Sequence, residues 1–203
     1  MKRNGLFLCV ALATVALLCA SCASTDVTRV DADKQIDLSG YWNDTDVRIV
    51  AESLVKDCTS SPAVSKFRQT YGRKPVIIVG SFKNESDEHI DTSILALKIE
   101  TALLNNGDVD FVASSGERGE IRDERNDQQT WSSDETAKAY AEETGADVMM
   151  IGTVKTIIDS ANGRTTRSYF VYAQLIEVES NKKLWMGENS EIKKVIRRSS
   201  VRY

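Results

Sequence analysis

Histidine is almost missing from this chain, whose 203 residues include only His89. A Ser-His-Asp triad would need that residue, and no Gly-x-Ser-x-Gly turn is present to carry the serine. After Cys22 the sequence has neither the Cys-x-x-Cys nor the His-Glu-x-x-His spacing of metal sites, and it has no glycine-rich loop for nucleotide phosphates. His89 lies at the entrance to a predicted helix, where a loop histidine beside a cap is favoured over a metal ligand. We predict that the protein is not an enzyme and uses no cofactor or metal.

Basic residues are outnumbered by acidic ones, 26 against 30. The formal net charge is −4, and it becomes −6 if Lys2 and Arg3 are removed with the N-terminal segment. Because nucleic-acid binding needs a basic surface, we predict no nucleic-acid partner, and we predict no small-molecule substrate. Residues 191–203 are the exception, with five basic residues and one acidic residue. We interpret this tail as a solvated end, with contact to an acidic partner or an anionic membrane as the alternative.

Long hydrophobic runs are limited to residues 6–20. About 15 residues are too few to cross a bilayer as a helix. Lys2 and Arg3 precede this run and Ala20-Ser21-Cys22 follows it, which predicts a lipoprotein signal peptide over residues 1–21 and lipid attachment at Cys22. A plain secretory signal and a retained helix are the alternatives. Cys58 would then be the only free cysteine, and we interpret it as a buried hydrophobe because it falls on the apolar face of a helix.

Residues 22–38 are polar and lack a periodic apolar face, which predicts a flexible tether. Asn43 or Asp44 is suited to cap a first helix, and Pro62 suits the first turn of a second one that ends before Gly72. Trp42 precedes the first cap; we interpret it as filling the edge of the core, with partner recognition as the alternative.

Residues 76–79 are β-branched throughout, which predicts a central strand covered on both faces. Asp91 or Thr92 caps the next helix, which Gly107 closes. This helix carries the apolar residues Ile94, Leu95, Ile99, Leu103 and Leu104. A short strand over residues 109–113 completes a β-α-β unit, in which we expect parallel strands and a right-handed crossover.

Residues 116–129 are almost entirely polar. If helical, they place Arg118, Arg122 and Arg125 along one edge. We interpret the segment as solvent-exposed, and keep these three arginines as candidate partner-binding residues. Ser132 and Glu135 then form a capping-box pattern for a further helix that ends at Gly145.

The remaining sequence predicts an antiparallel meander. Its strands are residues 148–159, residues 165–179 and residues 183–196, joined by Asn162-Gly163 and Ser180-Asn181 turns. The middle strand has Phe170, Tyr172, Ile176 and Val178 on alternating positions. The fold class is therefore α/β, a mixed β-sheet with flanking helices, in one domain over residues 39–203.

Several motifs together carry a family resemblance. They are Leu38-Ser39-Gly40-Tyr41-Trp42-Asn43-Asp44-Thr45-Asp46, Val50-Ala51-Glu52, Asn84-Glu85-Ser86-Asp87-Glu88-His89-Ile90-Asp91-Thr92, Gly145-Ala146-Asp147 and Ile151-Gly152-Thr153. As a set they resemble the LpoB family of penicillin-binding protein activators, over about residues 38–196.

The resemblance implies an outer-membrane lipoprotein whose periplasmic domain resembles the N-terminal domain of TolB. It also implies a function: binding to a bifunctional penicillin-binding protein, a peptidoglycan synthase, and stimulation of its activity. Two alternatives stay open. One is an envelope assembly or secretion lipoprotein related to curli secretion components, and the other is a hydrolase with an unrecognised pair of carboxylates.

Overall fold

The structure is a computed structural model that describes residues 26–131 and 144–197. The chain divides into two units, Met1–Lys34 and Gln35–Tyr203. In the first unit, residues 26–34 are exposed and form neither helix nor strand. Cys22, the predicted signal peptide and the predicted helix over residues 132–143 lie outside the described residues. Within the described ranges, no helix is both long enough and apolar enough to cross a membrane.

The second unit combines four described helices with a mixed six-stranded sheet. The helices are α1 (Asp44–Ser60), α2 (Pro62–Tyr71), α3 (Thr92–Asn106) and α4 (Ser115–Trp131). The strands are β1 (Val76–Glu85), β2 (Asp110–Phe111), β3 (Val148–Ala161), β4 (Arg164–Glu177), β5 (Lys183–Asn189) and β6 (Lys193–Arg197). The sheet order is β2-β1-β3-β4-β5, and β6 also pairs with β4. The predicted α/β class with a mixed sheet and flanking helices is confirmed.

The predicted β-α-β unit is present. Strands β1 and β2 pair in parallel through Val76 with Asp110 and Ile77 with Phe111, so β2 is shorter than expected. Strand β1 also pairs in parallel with β3, which places it inside the sheet as predicted. Val76 and Ile77 are buried, whereas the next two residues are only half-buried, so the strand is not fully covered on both faces.

Strands β3 and β4 form the predicted hairpin. Asn162 and Gly163 both have positive φ, 51° and 73°, as the tight turn that suits a twisted hairpin requires. The third predicted strand, residues 183–196, is instead broken in two. Strand β5 pairs with Val171–Ile176 of β4 and β6 pairs with Arg164–Ser168. Residues 190–192 step out of the ladder between them, where Ile192 is buried and its carbonyl accepts the Tyr169 N–H at 2.9 Å.

Helices α1 and α3 cover one face of the sheet. A single apolar cluster joins their buried side chains to those of the central strands, with members that include Val50, Leu54, Cys58, Leu95, Ile99, Leu103, Ile77, Val148, Met150, Val171 and Leu175. Cys58 is fully buried, as its helical position predicted. The helix caps also agree: Asn43 forms a capping box with Asp46, and Gly72 and Gly107 end their helices in the left-handed conformation.

In β4 and in α3, the apolar residues named from the sequence are not all buried in the structure. In β4 the buried face holds the odd-numbered residues from Arg167 to Leu175, while Phe170, Tyr172 and Ile176 are half-buried on the other face. Both faces of β4 carry apolar residues, so alternation alone could not select the one that the helices cover. In α3, Leu95, Ile99 and Leu103 are buried, but Ile94 and Leu104 are each 56% exposed.

Candidate functional site

The two longest sequence motifs meet in space. The first motif begins in a segment that we call the strap, residues 37–42, which leads into α1. The second is the loop between β1 and α3, residues 86–91. Arg167 and Tyr169 of β4 contact both segments, and Lys194 of β6 contacts the strap. The strap is thus attached to the domain by side chains that are distant in sequence.

Arg167 of β4 is the centre of this attachment. Its guanidinium contacts a carboxylate oxygen of Asp87 at 2.7 Å and one of Glu88 at 3.0 Å. Its side chain is 9% exposed and that of Glu88 is 7% exposed, so the second pair is almost completely removed from water. Asp87 also accepts the Thr156 hydroxyl at 2.7 Å, and the Arg167 guanidinium lies 4.8 Å from the centre of the Tyr41 ring. A buried cation with two carboxylates has the partners that burial of charge requires.

Glu88 also receives hydrogen bonds from the strap and from β4. The Trp42 N–H donates to its second oxygen at 3.0 Å, and the Tyr169 hydroxyl donates to its first. The same hydroxyl lies 3.2 Å from the Gly40 carbonyl, and the Trp42 and Tyr169 rings pack 5.2 Å apart. Trp42 therefore lies at the edge of the core, half-buried, which agrees with the first interpretation of it.

Lys194 of β6 attaches the start of the strap. Its ammonium contacts Asp46 at 2.6 Å and Asp37 at 2.9 Å, and donates to the Tyr41 carbonyl at 2.8 Å. The Asn43 side chain also donates to Asp37, at 2.8 Å. Asp37 lies within the predicted tether, so the last residues of that segment are bonded to the domain.

Charge and burial shift several pKa values in this cluster. The hydrogen bond from Lys194, with a second from Asn43, lowers the pKa of Asp37 to about 2. Burial raises the pKa of Asp46, and this outweighs its hydrogen bond with Lys194. Burial and the bond to Glu88 raise the pKa of Tyr169. At neutral pH Tyr169 consequently remains a hydrogen-bond donor, and Asp37 remains ionised.

A groove of about 570 Å³ opens beside the strap. Its walls are aromatic, apolar and acidic, and are formed by residues that include Tyr41, Trp42, Val47, Glu88, His89, Ile90 and Ile94. His89 is exposed here. In the part of the chain that the structure describes, no group of three or more His, Cys, Asp or Glu side chains is placed to hold a metal ion.

A second groove, of about 790 Å³, lies between α3, β2 and α4, and we call it the α3–α4 groove. Its apolar lining is Phe111, Val112, Ala113 and Ile121, and its charged lining is Glu100, Glu117, Glu120, Glu124 and Arg125. Of the three candidate arginines, only Arg125 lines this groove. Arg118 is half-buried and Arg122 is exposed on the same helix.

Sequence reasoning missed the charged residues that attach the strap. The sequence contained one signal for Arg167. Alternate residues of a strand lie on the same face, so Arg167 lies on the buried face of β4 with Tyr169, Val171 and Leu175. A charged residue on such a face requires a buried partner of opposite sign. The partners, Asp87 and Glu88, were named only as members of the motif over residues 84–92. Lys194 was noted only as part of the basic tail.

Comparison with known proteins agrees with the family resemblance. The family model described as peptidoglycan-synthase activator LpoB matches residues 46–191. The solved LpoB C-terminal domain from Salmonella enterica is similar at 16% identity, covering 75% of this chain and 99% of that domain, with a TM-score of 0.38.

The corresponding domain from Escherichia coli is also 16% identical, covering 70% of this chain and 96% of that domain, with a TM-score of 0.40. Lipoprotein GNA1162 from Neisseria meningitidis is 15% identical, with coverages of 63% and 88% and a TM-score of 0.37. No match to a curated protein is significant. Because the family model matches well over half of its length, the chain belongs to the LpoB family of peptidoglycan-synthase activators.

Proposed function

We propose that this protein is a lipid-anchored periplasmic regulator, attached to the outer membrane through Cys22, that binds a bifunctional penicillin-binding protein and activates it. The family match over residues 46–191 carries the proposal, because it identifies the chain with activators of peptidoglycan synthases. The catalytic residues then belong to the partner.

The N-terminal sequence supports the anchored form. Lys2 and Arg3, the apolar run over residues 6–20 and the small residues directly before Cys22 follow the pattern of a lipoprotein signal peptide. The polar residues that follow would link the lipid to the domain. The last part of this segment is bonded to the domain, because Asp37 bonds to Lys194 and Asn43.

Activation of this kind is a coupling of two equilibria. The regulator stimulates the synthase if it binds the active state more tightly than the resting state. A tenfold increase in the active population relative to the resting one requires about 1.4 kcal/mol of differential affinity. A surface that contacts a few well-placed side chains of the partner can supply this difference.

The direct test uses the full-length lipoprotein, purified in detergent, and the purified bifunctional penicillin-binding protein of the same cell. We expect binding at micromolar concentration or tighter, and a faster rate of glycan polymerisation when the lipoprotein is added. Absence of both binding and stimulation would refute the proposed function. Binding of the lipoprotein to the synthase without a faster rate of polymerisation would refute activation but not the interaction.

Lipid attachment is tested separately in cells grown with labelled palmitate. We expect label on the mature protein and none on a Cys22→Ala variant. A Cys58→Ala variant is the matched control, because it removes a cysteine that is buried in the domain. Label that persists in Cys22→Ala would overturn the assignment.

A further inference from the structure

Helix α3 presents a row of large apolar side chains to solvent. Ile94, Leu97 and Leu104 are 56%, 62% and 56% exposed. Together with Thr101 they follow the i, i+3, i+7 spacing that places residues on one helix face, and we call this row the α3 ridge. A helix that packs against a sheet is normally polar on its outer face. The ridge has the composition of a contact surface instead.

The α3 ridge is continuous with the acidic α3–α4 groove. Leu97 lines a smaller depression together with Glu100 and Glu117, and those two glutamates also line the α3–α4 groove. Ile94, at the other end of the ridge, lines the groove beside the strap. An apolar row and an acidic, partly apolar groove therefore form one surface along α3.

The charges in the α3–α4 groove are unbalanced. Its lining carries four glutamates against one arginine, Arg125. Glu100 is half-buried, and its pKa is raised by burial and by the nearby charge of Glu117. A cation brought in by another molecule would stabilise the half-buried Glu100 beside the charge of Glu117.

We propose that the α3 ridge and the α3–α4 groove form the docking surface for the synthase, and that the docking segment of the synthase carries apolar side chains next to lysine or arginine. The proposal rests on the proposed function and adds the surface and the chemistry of its partner. In this proposal the acidic side chains of the lipoprotein bind basic side chains of the synthase. The candidate arginines Arg118 and Arg122 do not line the groove, whereas the glutamates do.

Three variants of the full-length lipoprotein test the proposal against the purified synthase. Leu97→Ser shortens the ridge at an exposed position. Glu120→Lys combined with Glu124→Lys reverses the groove charge, and α4 tolerates both changes because Glu and Lys have similar helix propensity. Asp123→Lys is the matched control, since this exposed residue of the same helix does not line the groove.

We expect Leu97→Ser and the double lysine variant each to weaken synthase binding by about tenfold or more, as truncation of interface anchors and reversal of complementary charges do. The control should remain within about twofold of the unmodified protein, as expected for a charge outside the contact. The double variant should also lose the salt dependence of association, because attraction between the glutamates and the basic segment is screened by salt.

Each outcome has a separate meaning. If the unmodified protein binds and stimulates the synthase but all variants bind equally well, the surface is wrong while the proposed function stands. If the unmodified protein does not bind, both fail. If the variants change only the self-association of the lipoprotein, measured by light scattering, the occupant is a second copy and the proposal is overturned. Circular dichroism of every variant should match that of the unmodified protein.

Discussion

Arg167→Met should destabilise the domain far more than removal of a surface charge. Methionine keeps much of the length and apolar character of the arginine side chain but removes the guanidinium. Asp87 and Glu88 then lose their common cation. Glu88 retains hydrogen bonds from Trp42 and Tyr169, but its charge is left 7% exposed and uncompensated.

The expected loss follows from this burial. Breaking a buried ion pair by removing one partner typically costs about 3–5 kcal/mol, because the other charge stays buried. The Lys155–Glu85 pair supplies the comparison, since its atoms are 2.9 Å apart while its side chains are 52% and 49% exposed. Exposed pairs of that kind contribute about 0.2–1 kcal/mol. We therefore expect Arg167→Met to cost several times more than Lys155→Met.

Urea unfolding of both variants, followed by far-ultraviolet circular dichroism, measures these losses. The midpoint should fall much further for Arg167→Met with little change in the dependence on urea, which would indicate altered stability rather than an altered unfolded state. Adding Glu88→Gln to Arg167→Met should recover part of the loss, because it removes the uncompensated charge. Equal losses for Arg167→Met and Lys155→Met would refute the reasoning.

The loss should also depend on pH. A buried carboxylate without a cation binds a proton more readily than it does in the unfolded chain, so the folded variant takes up protons first as the pH falls. The difference in stability between Arg167→Met and the unmodified protein should consequently be largest near pH 7 and should shrink towards pH 5. A difference that grows over this range would contradict the model.

Three further predictions concern single positions. Burial raises the pKa of Cys58 to about 12, so iodoacetamide at pH 8 should modify it only after denaturation; peptide mapping that finds modification in the folded protein would contradict its burial. Asn43→Ala removes the capping side chain of α1 and should lower the free energy of unfolding by about 1–2 kcal/mol, and an unchanged urea midpoint would disprove that role. Gly152→Ala would place a methyl carbon 2.5 Å from the Tyr172 carbonyl oxygen and should lower the free energy of unfolding by about 1–3 kcal/mol. The control is Gly116→Ala, whose methyl carbon meets nothing within 4 Å and which should be neutral or stabilising in the same urea unfolding assay.

Local sequence signals predicted the elements whose causes are local. Asn43, Pro62, Gly72 and Gly107 act through the backbone of their own helices. The last three were predicted in place, and Asn43 was one of the two caps predicted for α1. The hairpin at Asn162 was likewise predicted, because its turn depends on two residues that tolerate positive φ. The conformation of each of these caps and of this turn depends on only a few neighbouring residues.

Features that depend on distant partners were not predicted. The break between β5 and β6 depends on β4, which both strands pair with along different segments. The attachment of the strap depends on Arg167, which lies 80 residues after Asp87 in the chain. The exposure of Ile94 and Leu104 depends on the positions of α1 and the sheet, which leave only one side of α3 buried. Spacing along the chain does not identify the distant partner in any of these contacts.

The bonds of Lys194 to Asp37 and Asp46 have a mechanical consequence. They join β6, the last described strand, to Asp37 ahead of α1 and to Asp46 in the first turn of α1. A force that pulls on the strap from its N-terminal side would therefore reach β6 through Lys194 and β4 through Arg167. The sheet would resist this force, and the surface along α3 would keep its shape.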